Sequence, residues 1–405
     1  MIIKNGTLFD ETGKFRQGMV RIEGSTVKEI SWNEKYSFDT RSETTIDAQG
    51  LYVIPGLVDI HFHGCMGYDF CDGTQEAFDA IAKYQVKNGV TSISPATMTL
   101  SREVLRKIFK AAGEYCKNQE LYCDNSDKKL EKRKNADKGN RNTCVSTIRG
   151  ITMEGPFVSL KKKGAQNGAF IHKPDVNFYK EMQELCGNRI KQVAVAPEED
   201  NDFAFIKEIS RETVISVAHT TADYATADKA FESGASHVTH LFNAMPSFGH
   251  RDPSVIGAAF EHEKVFVELI CDGIHIHPSV VRAMFALFGA ERICMISDSM
   301  MAAGMPDGKY SLGGQAVTVK DKAATLADGT IAGSASNLYD CFKTAVLNMG
   351  ISLEAAVMAC TLTPAKSLGI DSVCGSISVG KNADLVLLDK NLNIVKIVKD
   401  GIIVK

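Results

Sequence analysis

The chain lacks the features that would place it in several large protein classes. No run approaches the ~18 uninterrupted apolar residues that a spanning helix needs, so no membrane association is expected. Charge of one sign is not in excess: 46 Lys and Arg stand against 49 Asp and Glu, a formal net charge of −3. A protein that coats nucleic acid normally carries a strongly basic face, so no nucleic-acid partner is expected. Eleven cysteines are present, but the number is odd, the residues are scattered and none forms a Cys-x-x-Cys pair. That pattern excludes a disulfide framework and a structural zinc knuckle, and reads as reduced thiols. The start, Met1-Ile2-Ile3-Lys4-Asn5-Gly6, holds no apolar signal region and no cleavage site, so the expected compartment is the cytoplasm. With 405 residues, 44% of them hydrophobic, there is ample chain for a large core, and a single barrel with an accessory domain fits the length.

The two ends of the chain read alike. Residues 19–22 and 26–30 are short β-rich runs broken at Gly24-Ser25, and 384–388, 394–398 and 402–404 repeat the pattern. Lys399-Asp400-Gly401 between the last two is a strong hairpin signal. Two β-rich ends around a different middle predict one small β-sandwich domain built from residues 1–53 and 370–405. The middle alternates short apolar strands with helical stretches. Strand candidates lie at 57–61, 91–95, 148–154, 191–196, 214–219, 236–240, 266–270 and 293–298. Helical stretches at 75–88, 102–117, 222–233 and 278–288 fall between them, and 336–349 and 352–360 follow. Eight βα units predict an α/β fold, a TIM-like (β/α)8 barrel over 54–369. The polar, charged segment at about 117–143 interrupts this rhythm and reads as a solvated surface insertion.

Chemistry-bearing residues collect at one end of the predicted strands. His61 and His63 form His-Phe-His-Gly at the end of the first; i and i+2 in a strand share a side. Glu154, His219, His240 and Asp298 end the third, fifth, sixth and eighth. The C-terminal end of barrel strands is where such enzymes act. Four imidazoles with two carboxylates suit zinc or another divalent transition metal. His172, His237, His262 and His277 read as structural histidines. Gly333-Ser334-Ala335-Ser336 could cradle a phosphate, but a tight turn and helix cap is the simpler reading.

These residues also carry a resemblance. Pro55-Gly56-Leu57-Val58-Asp59-Ile60-His61-Phe62-His63-Gly64 and Gly380-Lys381-Asn382-Ala383-Asp384 resemble motifs of the amidohydrolase superfamily. Glu154-Gly155-Pro156-Phe157, Ala218-His219-Thr220, His240-Leu241-Phe242-Asn243-Ala244-Met245 and Cys271-Asp272-Gly273-Ile274-His275 are similar to the N-acetylglucosamine-6-phosphate deacetylase branch within it. The resemblance implies an amide hydrolase that releases acetate from an amino-sugar phosphate. It implies that Glu154, His219 and His240 hold a principal metal ion and His61 and His63 a second. One or two ions are implied, zinc first, with iron, manganese or cobalt as alternatives. Asp298 would be the catalytic carboxylate. Gln166, Asn243, the backbone of Ala244, Arg251 and His275 would bind the substrate. Gln166 stands where some members have histidine; glutamine can donate an N–H to a carbonyl but carries no proton charge. A homodimer is implied, with Arg251 acting across its interface. Deacetylation of the galactosamine epimer is the nearest alternative. A cyclic-amide hydrolase is a further one, opposed by Glu154, since those enzymes bridge their metals with a modified lysine. A metal-free scaffold protein would be expected to have lost some of the six ligand positions.

Overall fold

A computed structural model describes residues 1–32, 43–120 and 144–405, together with the backbone of 121–123. Most of the polar insertion expected at 117–143 therefore lies outside the described residues; its first residues continue the helix Arg102–Cys123.

The two ends of the chain meet in one eight-stranded sheet. Its strands run in the order Ile402–Ile403, Ile394–Lys399, Leu385–Leu388, Tyr52–Pro55, Ile2–Phe9, Phe15–Glu23 and Thr26–Ser31, with Thr45–Asp47 also paired to Ile2–Phe9. The seam between the ends is antiparallel, from Leu385 opposite Pro55 to Leu388 opposite Tyr52. Asp400 and Gly401 both take positive φ, 49° and 74°, as a two-residue type I′ turn requires. Ile3, Leu8, Val20, Val53, Leu385 and Val398 share an apolar cluster. Lys399 is wholly buried, its ammonium 3.2 Å from Asp384 and 2.7 Å from Asp400.

The middle of the chain is α/β. Leu57–Asp59, Val90–Ile93 and Thr147–Ile148 form one parallel sheet. Ile151–Met153, Ile190–Val195, Val214–Val217, His237–Val238, Phe266–Ile270 and Ile293–Ile296 form a second, in chain order. Almost every residue of these strands is buried, which is why they read as continuous apolar runs rather than alternating ones. A parallel bridge between Ala96 and Thr152 joins the two sheets on one side. On the other, Asp298 N–H donates to the His61 carbonyl (3.0 Å) and His63 N–H to that of Ser299 (2.7 Å).

Each of the eight strand candidates overlaps a described strand, most with ends displaced by one or two residues, and two differ further. The third is broken because the chain changes neighbour: Arg149 N–H donates to Ile93, Ile151 N–H to Arg189. The sixth is short because His240, at φ 27°, leaves the extended region. The helices expected between strands are Gln75–Lys87, Arg102–Cys123, Tyr224–Glu232 and Pro278–Phe288. Thr74 and Asp223 cap two of them with side-chain oxygens, the arrangement that satisfies orphan N–H groups of the first turn. A four-stranded antiparallel sheet, Gly308–Leu312, Gln315–Lys320, Ala323–Thr325 and Ile331–Ser334, follows the last parallel strand. The strand-by-strand reading of the sequence did not include it, although Gly313-Gly314 between alternating residues is a hairpin signal. No described helix is long and apolar enough to cross a membrane.

Candidate metal centre and cleft

The six residues expected at the strand ends do converge. His61, His63 and Asp298 form one group, and Glu154, His219 and His240 a second; within each, the candidate ligand atoms lie within 4.8 Å of one another and all three residues are buried. Glu154 faces both. Its Oε1 lies 2.9 Å from His219 Nε2 and 3.2 Å from His240 Nε2. Its Oε2 lies 3.2 Å from His63 Nε2 and 3.6 Å from His61 Nε2. Asp298 Oδ1 stands 3.4 Å from His63 Nε2. The His-x-His pair presents both rings to the same carboxylate oxygen from the bend that follows the strand Leu57–Asp59.

Backbone geometry aims these side chains. His219, His240 and Asp298 take φ of 44°, 27° and 46°, a region that L-residues other than glycine seldom occupy and that costs of order 1–3 kcal/mol each. Each sits two residues beyond its strand, where the chain turns and throws the side chain across the strand ends. His219 Nδ1 is 2.9 Å from the Lys162 carbonyl; donating there leaves Nε2 with its lone pair toward Glu154.

The donor chemistry fits a metal ion. His61 Nε2, Glu154 Oε2 and Asp298 Oδ1 are buried and have no hydrogen-bond partner. Buried polar atoms are ordinarily satisfied, and imidazole nitrogen with carboxylate oxygen is a set that binds zinc and its neighbours. Burial pushes the Glu154 carboxyl up, but His61 above all, with His219 and His240 beside it, carries it well below its ordinary range. Burial likewise raises Asp298, and His63, 3.4 Å away, with the other nearby imidazoles reverses that, leaving it lowered.

The two groups open into a cleft of about 390 Å³. Gln166, Asn243, Ala244 and His275 line it, as expected from the sequence. Gln166 is buried and its Oε1 accepts the Thr99 N–H at 2.7 Å, which fixes which end of the amide can donate elsewhere. Asn243 Nδ2 donates to the carbonyls of His240 and Leu241, both at 3.2 Å. His275 Nδ1 lies 2.7 Å from Asp272 Oδ2. Burial lowers the His275 pKa, but Asp272 more than offsets this and the net shift is upward, toward the cation.

Arg251 is not brought to this cleft. It is exposed, lines a separate depression with Asp223, Tyr224 and Pro253, and lies 2.7 Å from the ring of His250. The remaining histidines take local roles: His172 packs against Phe157 and Phe178, His262 pairs with Asp228 at 2.8 Å, and His277 accepts the Ser279 N–H at a helix start. Gly333 lines the cleft, but Ser334 N–H is engaged by the Asp298 carbonyl at 2.8 Å, so the small-residue loop offers no open cradle there. Sequence reasoning passed over Lys161, Lys162 and Ile331, which also line the cleft. It also passed over Glu268, wholly buried behind the imidazoles. The signal for Glu268 was available: a lone carboxylate in the apolar run Phe266-Val267-Glu268-Leu269-Ile270.

Comparison with known proteins gives the family. The model of the Amidohydrolase family matches residues 52–404. An N-acetylglucosamine-6-phosphate deacetylase of Bacillus subtilis is 34% identical over 98% of this chain and 94% of its own length. An N-acetylgalactosamine-6-phosphate deacetylase of Escherichia coli O157:H7 is 29% identical over 88% of each chain. In three dimensions, a variant N-acetyl-D-glucosamine-6-phosphate deacetylase of Mycobacterium smegmatis, solved with N-acetyl-D-glucosamine-6-phosphate, matches with TM-score 0.85 and 27% identity, covering 100% of this chain and 98% of that one. With the family match spanning nearly the whole chain and a relative above 30% identity, the chain belongs to the amidohydrolase family.

Proposed function

We propose that this chain is a metal-dependent deacetylase that hydrolyses N-acetyl-D-glucosamine 6-phosphate to D-glucosamine 6-phosphate and acetate. The observation that carries the reading is Glu154, whose two oxygens divide between His219 with His240 and His61 with His63 at the floor of a cleft. The relatives named above supply the substrate class.

In this reading the two parallel sheets are arcs of one (β/α)8 barrel over residues 54–369, joined by the Ala96–Thr152 bridge and the Asp298–His61 hydrogen bond. Residues 1–53 and 370–405 form the small β domain, its sheet curling into a sandwich over the Val20–Val53–Leu385 cluster. Glu154, His219 and His240 would hold the principal ion, and His61 and His63 a second. Zinc is the first expectation, on the histidine-rich donor set.

When bound, the divalent ion supplies Lewis acidity, lowering the pKa of water and polarising the amide carbonyl. The chain's own groups do the rest. Asp298, its carboxyl lowered among the imidazoles, takes a proton from the attacking water and returns it to the leaving nitrogen as the amide C–N bond breaks. Gln166, anchored through Oε1, has its amide N–H groups to offer the acetyl oxygen. Asn243, the Ala244 backbone and the cation-prone His275 hold the sugar phosphate. Arg251 faces away from its own cleft and acts on the phosphate in the neighbouring subunit of a homodimer, where a guanidinium fork matches phosphate oxygens.

The test is acetate release from N-acetylglucosamine 6-phosphate, the unphosphorylated sugar and the galactosamine epimer. The expected outcome is fast release from the glucosamine phosphate alone. Preference for the epimer would keep the chemistry and change the substrate; no release by metal-loaded protein from any of the three would overturn the reading.

A further inference from the structure

Glu268 lies in the strand Phe266–Ile270 and is wholly buried. It lines no part of the cleft, yet residues from three other strand regions reach it. Its Oε2 lies 2.8 Å from His61 Nδ1 and accepts the backbone N–H of His240 at 3.0 Å. Its Oε1 accepts Gln192 Nε2 at 2.8 Å and lies 3.2 Å from His237 Nε2. One carboxylate oxygen thus touches a ring from one ligand group and the backbone of a ligand from the other. That backbone is the one at φ 27°.

An ionised carboxylate only accepts, so the proton on His61 must sit at Nδ1. His61 Nε2, the partnerless atom facing Glu154 and Asp298, then presents its lone pair to the cleft. A ring free to take the other tautomer would point an N–H where a ligand atom is needed. For His240, the same oxygen holds the turn that delivers the ring.

We infer that Glu268 is a positioning residue for both ligand groups: its Oε2 fixes the tautomer and orientation of His61 and anchors the strained turn at His240. This rests on the reading of the two groups as metal ligands given above. Reach, rather than charge, carries the role. Gln at this position can turn its carbonyl toward His61 and His240 and its NH2 toward Gln192, whose Oε1 lacks a partner and can rotate in to accept. Asp keeps the charge but withdraws it by one methylene.

The experiment compares wild type, Glu268→Gln and Glu268→Asp. Zn²⁺ affinity is measured by chelator competition, and the His61 tautomer by imidazole ¹⁵N shifts in metal-free protein at a pH high enough for the ring to be neutral. The expected result is that Glu268→Gln binds Zn²⁺ within a few-fold of wild type, while Glu268→Asp binds about 10–100-fold more weakly. His61 should carry its proton on Nδ1 in wild type and Glu268→Gln, and populate both tautomers in Glu268→Asp. Unchanged affinity in Glu268→Asp, equal loss in both variants, or an Nε2–H tautomer in wild type would overturn the inference. Wild-type protein that binds no Zn²⁺ would instead overturn the ligand reading, and the tautomer would still decide the role of Glu268.

Discussion

Glu154 and Asp298 are both buried carboxylates kept ionised by imidazoles, but their surroundings separate their tasks. Glu154 is hemmed between four histidines, whereas Asp298 sits at the cleft wall with Oδ1 toward His63 and lacking a hydrogen-bond partner. Exchange of Asp298 for Asn preserves shape and removes the proton acceptor. The expected outcome is a fall of about 10²–10⁴ in kcat, with Zn²⁺ retained by metal analysis; activity near wild type would take the proton-transfer role from Asp298. A third carboxylate, Asp59, stands beneath the site, hydrogen-bonded by the Ser297 hydroxyl at 2.5 Å. Burial outweighs the Ser297 hydrogen bonds and pushes its pKa from 3.8 up to about 7. Between those values the folded protein keeps a proton that the unfolded chain has released. The Asp59 contribution is therefore full below about pH 4 and is lost at about 1.4 kcal/mol per pH unit as pH rises toward 7. Urea unfolding of wild type and Asp59→Asn from pH 5 to pH 8 should show the variant gaining on wild type up to pH 7 and holding its lead above. A gap that does not change with pH would mean that Asp59 titrates normally.

At the level of elements, the parallel strands were legible because each is a short apolar run, several of them followed by a polar residue that joins the candidate site. His61, Glu154, His219, His240 and Asp298 mark five of them. The convergence of the six residues was legible for the same reason: strand order places them together without knowledge of any packing. What the sequence hid depends on long-range contact. The break at Arg149–Gly150 follows from a change of hydrogen-bonding neighbour, and the burial of Glu268 from convergence of four strand regions. The antiparallel sheet from Gly308 to Ser334 shows a further limit, since its half-exposed strands alternate too briefly to stand out. Its last strand nevertheless braces the site. Ser334 N–H donates to the Asp298 carbonyl at 2.8 Å, and Met300 N–H to that of Ser334 at 2.8 Å. Gly333 takes φ 67°, and a Cβ there would lie 3.1 Å from the Asp298 carbonyl oxygen. Gly333→Ala should therefore cost about 1 kcal/mol or more in stability and lower kcat by displacing Asp298, with Zn²⁺ content unchanged. Wild-type kcat in a thermally destabilised variant would show that the bracing does not reach the catalytic carboxylate.

For the whole molecule, the question is whether one chain makes a complete site. The cleft within the chain gathers the two candidate ligand groups with Gln166, Asn243, Ala244 and His275, but Arg251 lines a separate surface. Under the proposed dimer, an isologous interface places Arg251 of each copy at the cleft of the other. This gives a complementation experiment that no single-chain site can satisfy. Asp298→Asn protein lacks the proton carrier but still lends Arg251; Arg251→Ala protein lends no arginine but keeps Asp298. Alone, the first should be nearly inactive and the second should show a raised KM for the phosphorylated substrate, as loss of a binding contact requires. Unfolded together and refolded in equal amounts, half the dimers are mixed, and each mixed dimer holds one site with both groups and one with neither. At substrate well below the raised KM, activity should recover to about a quarter of wild type, the fraction of sites that random pairing in a two-fold dimer makes complete. Arginine acting within its own chain makes no such site, because every site then lacks one group or the other. The mixture would then show only the average of the two separate preparations.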